Sequence, residues 1–215
     1  MEKKVVSLKK RILDIAHKHS LSHLGSYFSA LKIIDKIYSI KNADDIFILS
    51  SGHAALALYA VIEKYLGIDA EELFLKQGGH PHYDEENDIY CSTGSLGMGL
   101  LVAIGRAMAN RNRDVYCLIS DGECAEGCIW EGLRYIQEAK LDNIHVYVNV
   151  NGFAAYDAVD TKYLIKRLKV FYPKIIIEKT RVSHFPFLKG LNAHYHIMSK
   201  EDYESALEAL NEKEI

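Results

Sequence analysis

With 215 residues, 49% of them hydrophobic and 26% charged, the chain is long enough to bury a single continuous core. A net charge of −3 gives no electrostatic basis for binding nucleic acid or an anionic membrane. The four cysteines, at 91, 117, 124 and 128, form no CxxC pair and have no nearby histidine at zinc spacing, so reduced thiols and a cytoplasmic setting are expected.

Met1-Glu2-Lys3-Lys4 leads into an amphipathic helix, not into an apolar signal core. Ser7 to His19 reads as the first helix, with Leu8, Ile12, Ile15 and Ala16 on one face. Ser29 is placed to cap a second helix, Ala30 to Ile40. Ile46 to Leu49 is a short apolar strand that ends at Ser50-Ser51-Gly52-His53. A helix from Ala54 to Leu66 follows, then a helical piece from Ile68 to Lys76. Gln77 to Tyr90, with Gly-Gly, His-Pro and an acidic run, reads as a surface loop.

Ser92-Thr93-Gly94-Ser95-Leu96-Gly97-Met98-Gly99 opens the next helix. This helix reaches Ala109, is too short to span a bilayer and carries Arg106. Val115 to Ile119 and Ile144 to Val148 are strands separated by a helix, roughly Glu126 to Lys140. Thr161 to Lys169 is helical, Lys174 to Glu178 reads as a further buried strand, and Ser199 to Leu210 is a helix with Glu201 and Asp202 in its first turn. Strands alternating with helices predict an α/β fold: three layers, with a mainly parallel, doubly wound sheet flanked by helices. No repeat or linker divides the chain, so one domain over residues 1–215 is expected.

Asp121-Gly122-Glu123 and Asn151-Gly152 each close an apolar strand. If those strands are parallel neighbours, Asp121 and Asn151 meet at the carboxyl edge of the sheet, where open α/β sheets bind ligands. One carboxylate and one amide oxygen make a half-cage suited to Mg²⁺ or Ca²⁺ on a diphosphate. Gly94, Gly97 and Gly99 precede a helix, which serves either close packing or the approach of main-chain N–H groups to an anion. His23, His53 and His80 sit beside Gly or at a segment boundary, where loop side chains can share a cleft. His17, His19, His82, His145 and His184 read as structural or exposed, and spacing leaves His194 and His196 open. Glu126 and Glu131 read as a solvated helix face, with Trp130 and Tyr135 packing the core.

Together these segments resemble the diphosphate-binding domain of transketolases, most closely those divided into two polypeptides. Ile46-Phe-Ile-Leu-Ser-Ser-Gly-His53-Ala-Ala-Leu-Ala-Leu-Tyr59-Ala is similar to the family's FILSKGHAAPALYA signature. Cys91-Ser-Thr-Gly94-Ser-Leu96-Gly-Met-Gly99 resembles its STGSLGQG segment. Asp121-Gly-Glu-Cys-Ala-Glu126-Gly with Asn151-Gly resembles its thiamine diphosphate motif. The resemblance implies that Asp121, Asn151 and the Phe153 carbonyl hold Mg²⁺ or Ca²⁺. It implies thiamine diphosphate contacts from His53, Gly94, Ser95, Leu96, Ser120, Asp121, Gly122, Glu123 and Asn151. His23, His53, His80 and His194 would line the substrate channel, and Glu126 and Glu131 would join a network across a subunit interface.

The implied activity is transfer of a two-carbon ketol unit from a ketose phosphate to an aldose. It requires a second, C-terminal subunit that carries a pyrimidine-binding domain, in a homodimeric or α₂β₂ assembly. Ser120 stands where the family motif has Gly, no Asp-Gly-His motif follows Asn151, and the loop Arg181 to Leu191 has Arg181-Val-Ser-His184 in place of the usual KGxG glycines. Ser120 and the short region after Asn151 keep a non-catalytic scaffold open as an alternative, and the shared metal motif keeps open a 2-oxoacid decarboxylase or dehydrogenase subunit.

Overall fold

The computed structural model describes residues 2–211. Its helices are α1 (Glu2–Lys18), α2 (Leu24–Ile40), α3 (Ala55–Leu66), α4 (Ala70–Gln77), α5 (Met98–Ala109), α6 (Gly127–Glu138), α7 (Thr161–Phe171), α8 (Asn192–Tyr195) and α9 (Lys200–Asn211). Its strands are β1 (Ile46–Leu49), β2 (Val115–Ser120), β3 (Ile144–Val150) and β4 (Ile176–Lys179). All pair in parallel, in the order β1-β2-β3-β4, so the order advances without the reversal that a doubly wound sheet has.

Both faces of the sheet are nevertheless covered, because alternate residues of each strand point to opposite sides. Phe47, Leu49, Tyr116, Leu118 and Tyr147 pack under α1, α2 and α3. Ile46, Ile48, Cys117, Ile119, Val146 and Val148 pack under α5, α6 and α7. β1 and β2 are buried at every position, and their continuous apolar runs reflect that double coverage. The three-layer α/β expectation is met.

Four local readings change. α2 begins at Leu24, not Ala30: His23, at φ 66°, ends the preceding loop in the left-handed region, and Ser29 lies inside the helix with its hydroxyl donating to the Ser26 carbonyl. α1 likewise starts before Ser7. The strand read as buried, β4, is partly exposed, whereas β1, at the other edge of the sheet, is buried throughout. Tyr135 is 39% exposed and does not join the core, while Trp130 packs against it and donates its indole N–H to the Cys124 carbonyl at 2.9 Å. The four cysteines are free. No described helix is long and apolar enough to cross a membrane.

Candidate cofactor and metal site

The β2–β3 pairing carries Asp121 and Asn151 to the same edge, as the strand spacing requires: Ser120 stands opposite Asn149, and the Asp121 N–H donates to the Asn149 carbonyl at 3.0 Å. The Asp121 side chain is 2% exposed. Its Oδ1 accepts the Gly122 N–H at 3.1 Å and its Oδ2 the Gly152 N–H at 2.7 Å. Among the described residues it has no cationic partner. Burial therefore pushes its pKa up to about 6 despite those main-chain donors.

The Asn151 Oδ1 accepts the Phe153 N–H at 2.9 Å, which bends the chain back toward Gly122. The Phe153 carbonyl oxygen lies 3.7 Å from where a Cβ on Gly122 would sit, and Ala154 Cα only 3.1 Å from it, so the Gly122 turn admits no larger residue without movement. A buried carboxylate short of positive charge, beside an amide oxygen and a carbonyl, is an oxygen donor set that fits Mg²⁺ or Ca²⁺. No group of three or more His, Cys, Asp or Glu among the described residues could hold a metal by itself, so the remaining ligands have to come from elsewhere.

Glu123 points away from this edge. It is 0% exposed; its Oε1 accepts from the Ser50 hydroxyl at 2.6 Å and the Gly97 N–H at 2.9 Å, and its Oε2 from the Ser120 N–H at 2.8 Å. It ties the ends of β1 and β2 to the start of α5. The Ser120 hydroxyl turns inward as well, contacting Glu123 at 3.3 Å. Gly97, at φ 81°, gives its N–H to Glu123, and a Cβ there would lie 2.5 Å from Cys128 Sγ. A Cβ on Gly99 would lie 2.6 Å from Ser50 Cα. Close packing, not anion approach, accounts for these two glycines. Gly94 and Ser95 are exposed and Leu96 partly so, with Gly94 at φ 145° beneath the His80 ring.

The four histidines converge. His23 lies 4.4 Å from His194, 5.8 Å from His53 and 6.2 Å from His80, ring centre to ring centre, and His53 is 5.4 Å from His194. Two local features set the cluster. The left-handed backbone at His23 donates its N–H to the His194 carbonyl at 2.8 Å, and the Ser22 hydroxyl meets His23 Nδ1 at 2.9 Å. Burial, followed by the neighbouring histidines, pushes His23 down to about 4 and His53 to about 3, while burial also lowers His194. All three are therefore neutral imidazoles near neutral pH.

A narrow crevice is lined by Asn151 and Phe153, from the Asp121 edge, and by His194, one member of the histidine cluster, together with Gly25 and Ser26. Thr93 Oγ1, beside Gly52 and Gly94, is buried without a partner, a further polar atom available to a ligand. Glu126, just before α6, and Glu131, within it, are both exposed, and neither makes an ion pair among the described residues. Of the remaining histidines, His17 stacks on Tyr203 at 4.5 Å and His19 meets Glu71 at 2.7 Å.

A family model described as transketolase, thiamine diphosphate binding domain, matches residues 34–163. The chain belongs to this family. It is 39% identical over 125 residues to the transketolase of Pongo abelii, covering 53% of this chain and 20% of that protein. Two proteins named as subunits of an apulose-4-phosphate transketolase are also similar. The one from Phocaeicola vulgatus is 31% identical over 163 residues, with 66% of this chain and 58% of that protein covered. The one from Actinobacillus succinogenes is 27% identical over 266 aligned positions, covering 99% of this chain and 96% of that protein. This last alignment is longer than the chain, so the relative has residues that this chain lacks. The chain thus spans only a fifth of the length of the animal transketolase. The solved structure of transketolase from Leishmania mexicana superposes with a TM-score of 0.73 at 16% identity, over 98% of this chain and 41% of that one, which establishes the shared fold.

Proposed function

We propose that this chain, as one domain over residues 1–215, is the thiamine-diphosphate-binding subunit of a divided transketolase. The observation that carries the reading is the buried Asp121 carboxylate, without a counter-cation among the described residues, on the same sheet edge as Asn151, which shares a crevice with His194 of the four converging histidines. Thiamine diphosphate, when bound, supplies the electron sink that a two-carbon ketol transfer needs. Asp121, the Asn151 amide oxygen and the Phe153 carbonyl would hold Mg²⁺ or Ca²⁺ for its diphosphate, and the main chain at Gly94 and Leu96 would contribute contacts to it.

His23, His53 and His194, neutral in the unliganded cleft, hydrogen-bond hydroxyls of a sugar phosphate as donor or acceptor. His80, more exposed, stands at the mouth. Negative charge brought into the cluster raises the imidazole pKa values and enables them to hold a proton beside a reacting oxygen. The relatives' names support a sugar phosphate as substrate and a division into subunits. A partner subunit with the pyrimidine-binding domain completes the site, with Glu126 and Glu131 at the interface of a homodimer or α₂β₂ heterotetramer. Reduced cysteines suit a cytoplasmic setting.

The 2-oxoacid decarboxylase or dehydrogenase alternative is not favoured, given the family match and the apulose-4-phosphate transketolase relatives. Asp121→Ala in the assembled complex is expected to abolish metal-dependent binding of thiamine diphosphate, measured by calorimetric titration with and without Mg²⁺. Unchanged cofactor affinity in that variant overturns the site assignment.

A further inference from the structure

A large cleft lies away from the cluster of His23, His53, His80 and His194. It runs between α1, α2, α3 and the end of β4, and is lined among others by Lys32, Lys36, Glu178, Thr180, Arg181 and His184. Seven Lys and Arg residues line it against three carboxylates. Each carboxylate is already held: Glu63 by Arg11 at 2.9 Å, Glu178 by Lys36 at 2.6 Å, and Asp35 by Lys64. Lys32 and Arg181 have no acidic partner among the described residues. The surplus is felt inside the cleft: burial first, then Lys9, Arg181 and Lys32, push His184 down to about 3. In a chain of net charge −3 this is a localised cationic wall.

The wall adjoins an unfinished sheet. Thr180 donates its N–H to the Val150 carbonyl at 2.9 Å, and Val150 stands opposite Lys179. In a parallel ladder, alternate residues bond to the same side, so Glu178 and Thr180 face β3 while Ile177 and Lys179 turn their main-chain N–H and C=O groups outward. No strand among the described residues takes up those groups. An edge strand of this kind is a template for a further strand. Lys32 and Lys36, one turn apart on α2, border the lane that such a strand would occupy.

We propose that the open edge of β4 and the cationic cleft beside it receive an extended, acidic segment of a partner polypeptide, added to the sheet as a fifth parallel or antiparallel strand. Main-chain hydrogen bonds to Ile177 and Lys179 hold the segment. Alternate Asp or Glu side chains meet Lys32 and Arg181, whose lack of acidic partners selects against basic or neutral segments.

The test uses the full chain and a labelled octapeptide of alternating Glu and Val, with a Lys–Val counterpart as control. The acidic peptide is expected to bind and the basic one not. Lys32→Glu or Arg181→Glu is expected to weaken binding about tenfold or more, as is high salt. Lys179→Pro, which removes only an outward N–H from the ladder, is expected to abolish binding, whereas Lys179→Gln retains it. Hydrogen exchange at the Ile177 and Lys179 amides of the unmutated chain gives a readout independent of folding in the proline variant: both are expected to slow when the peptide is present. The proposal is overturned if the acidic peptide does not bind, or if it binds without protecting those amides. It is equally overturned if both amides are already protected in a dimer of this chain that Lys179→Pro dissociates. None of these readouts involves the cofactor, so they stand or fall apart from the transketolase reading.

Discussion

At one side of the sheet β1 is enclosed, with Ile46, Phe47, Ile48 and Leu49 at 0–3% exposure, whereas β4 at the other side is partly exposed along its length. Beyond β1 the chain continues into contacts with no slack: Gly99 lies against Ser50, Gly52 against Thr93, and the Glu123 carboxylate ties Ser50 to Gly97. Beyond β4 the chain enters a loop facing a wide cationic cleft. The contrast marks where this protein supplies its own packing and where it leaves room. The β1–β2 side fixes the Gly-rich segment rigidly beside Asp121, as a preorganised ligand edge demands. The β4 side contributes little to that geometry.

Four perturbations probe the two sides against each other. Gly99→Val, which drives a branched side chain into Ser50, is expected to have the largest effect, about 3 kcal/mol of lost stability in urea unfolding. Glu123→Ala leaves the Gly97 and Ser120 N–H groups buried without their acceptor and is expected to cost about 2 kcal/mol. A midpoint shift from Gly99→Val no larger than that of an exposed control would show that the β1 side is not tightly closed.

The third concerns pH. His23, His53 and His184 have folded pKa values below that of free histidine, at about 4, 3 and 3, so the unfolded chain binds more protons and stability rises with pH through this window, up to about 6.5. Asp121, raised from 3.8 to about 6, works in the opposite sense: it favours the folded state when protonated, and stability falls as pH rises from 3.8 through about 6. Burial also lowers His194 and raises Glu123, so four histidines stand against two carboxylates; the metal-free chain is expected to gain melting temperature between pH 4 and 6.5, and His53→Gln to flatten that slope. Added Mg²⁺ should stabilise the chain at pH 7 and lose this effect as pH drops through 6, because the cation requires the deprotonated carboxylate. A melting curve flat with pH in the unmutated chain would contradict the burial assigned to the histidines. Lys179→Pro, at the open edge, is expected to change stability by less than about 0.5 kcal/mol, the smallest effect of the four; a large loss would mean that the edge is not open.

Much of the architecture was legible because apolar periodicity and motif order both report on burial. The runs at Ile46, Val115 and Ile144 are strands covered on two faces, and the strand spacing brought Asp121 and Asn151 together as expected. Three histidines were recognisable by their boundary positions, and the fourth, His194, by resemblance. Other features had no local signal. The start of α2 is set by a positive-φ histidine in place of a Ser or Asp cap, so its sequence reads as loop. Glu123 lies in the thiamine diphosphate motif, yet its carboxylate is consumed by Ser50, Gly97 and Ser120, partners contributed by three separate segments. The cationic cleft was invisible for the same reason: α1, α2, α3 and the segment after β4 each contribute only a few of its charges.

The hydrogen bond from His23 N–H to the His194 carbonyl bears on how this protein comes into being. The first turn of α2 and α8 belong to early and late portions of the chain, and the whole sheet is threaded between them. During synthesis, the Asp121 edge can therefore form while the histidine cluster still lacks a member. In a ribosome-bound chain His23, His53 and His80 precede the missing partner, and the four-histidine cluster forms once residue 194 has emerged and docked. The histidine cluster is thus among the last parts of this chain to form, after the sheet that carries Asp121.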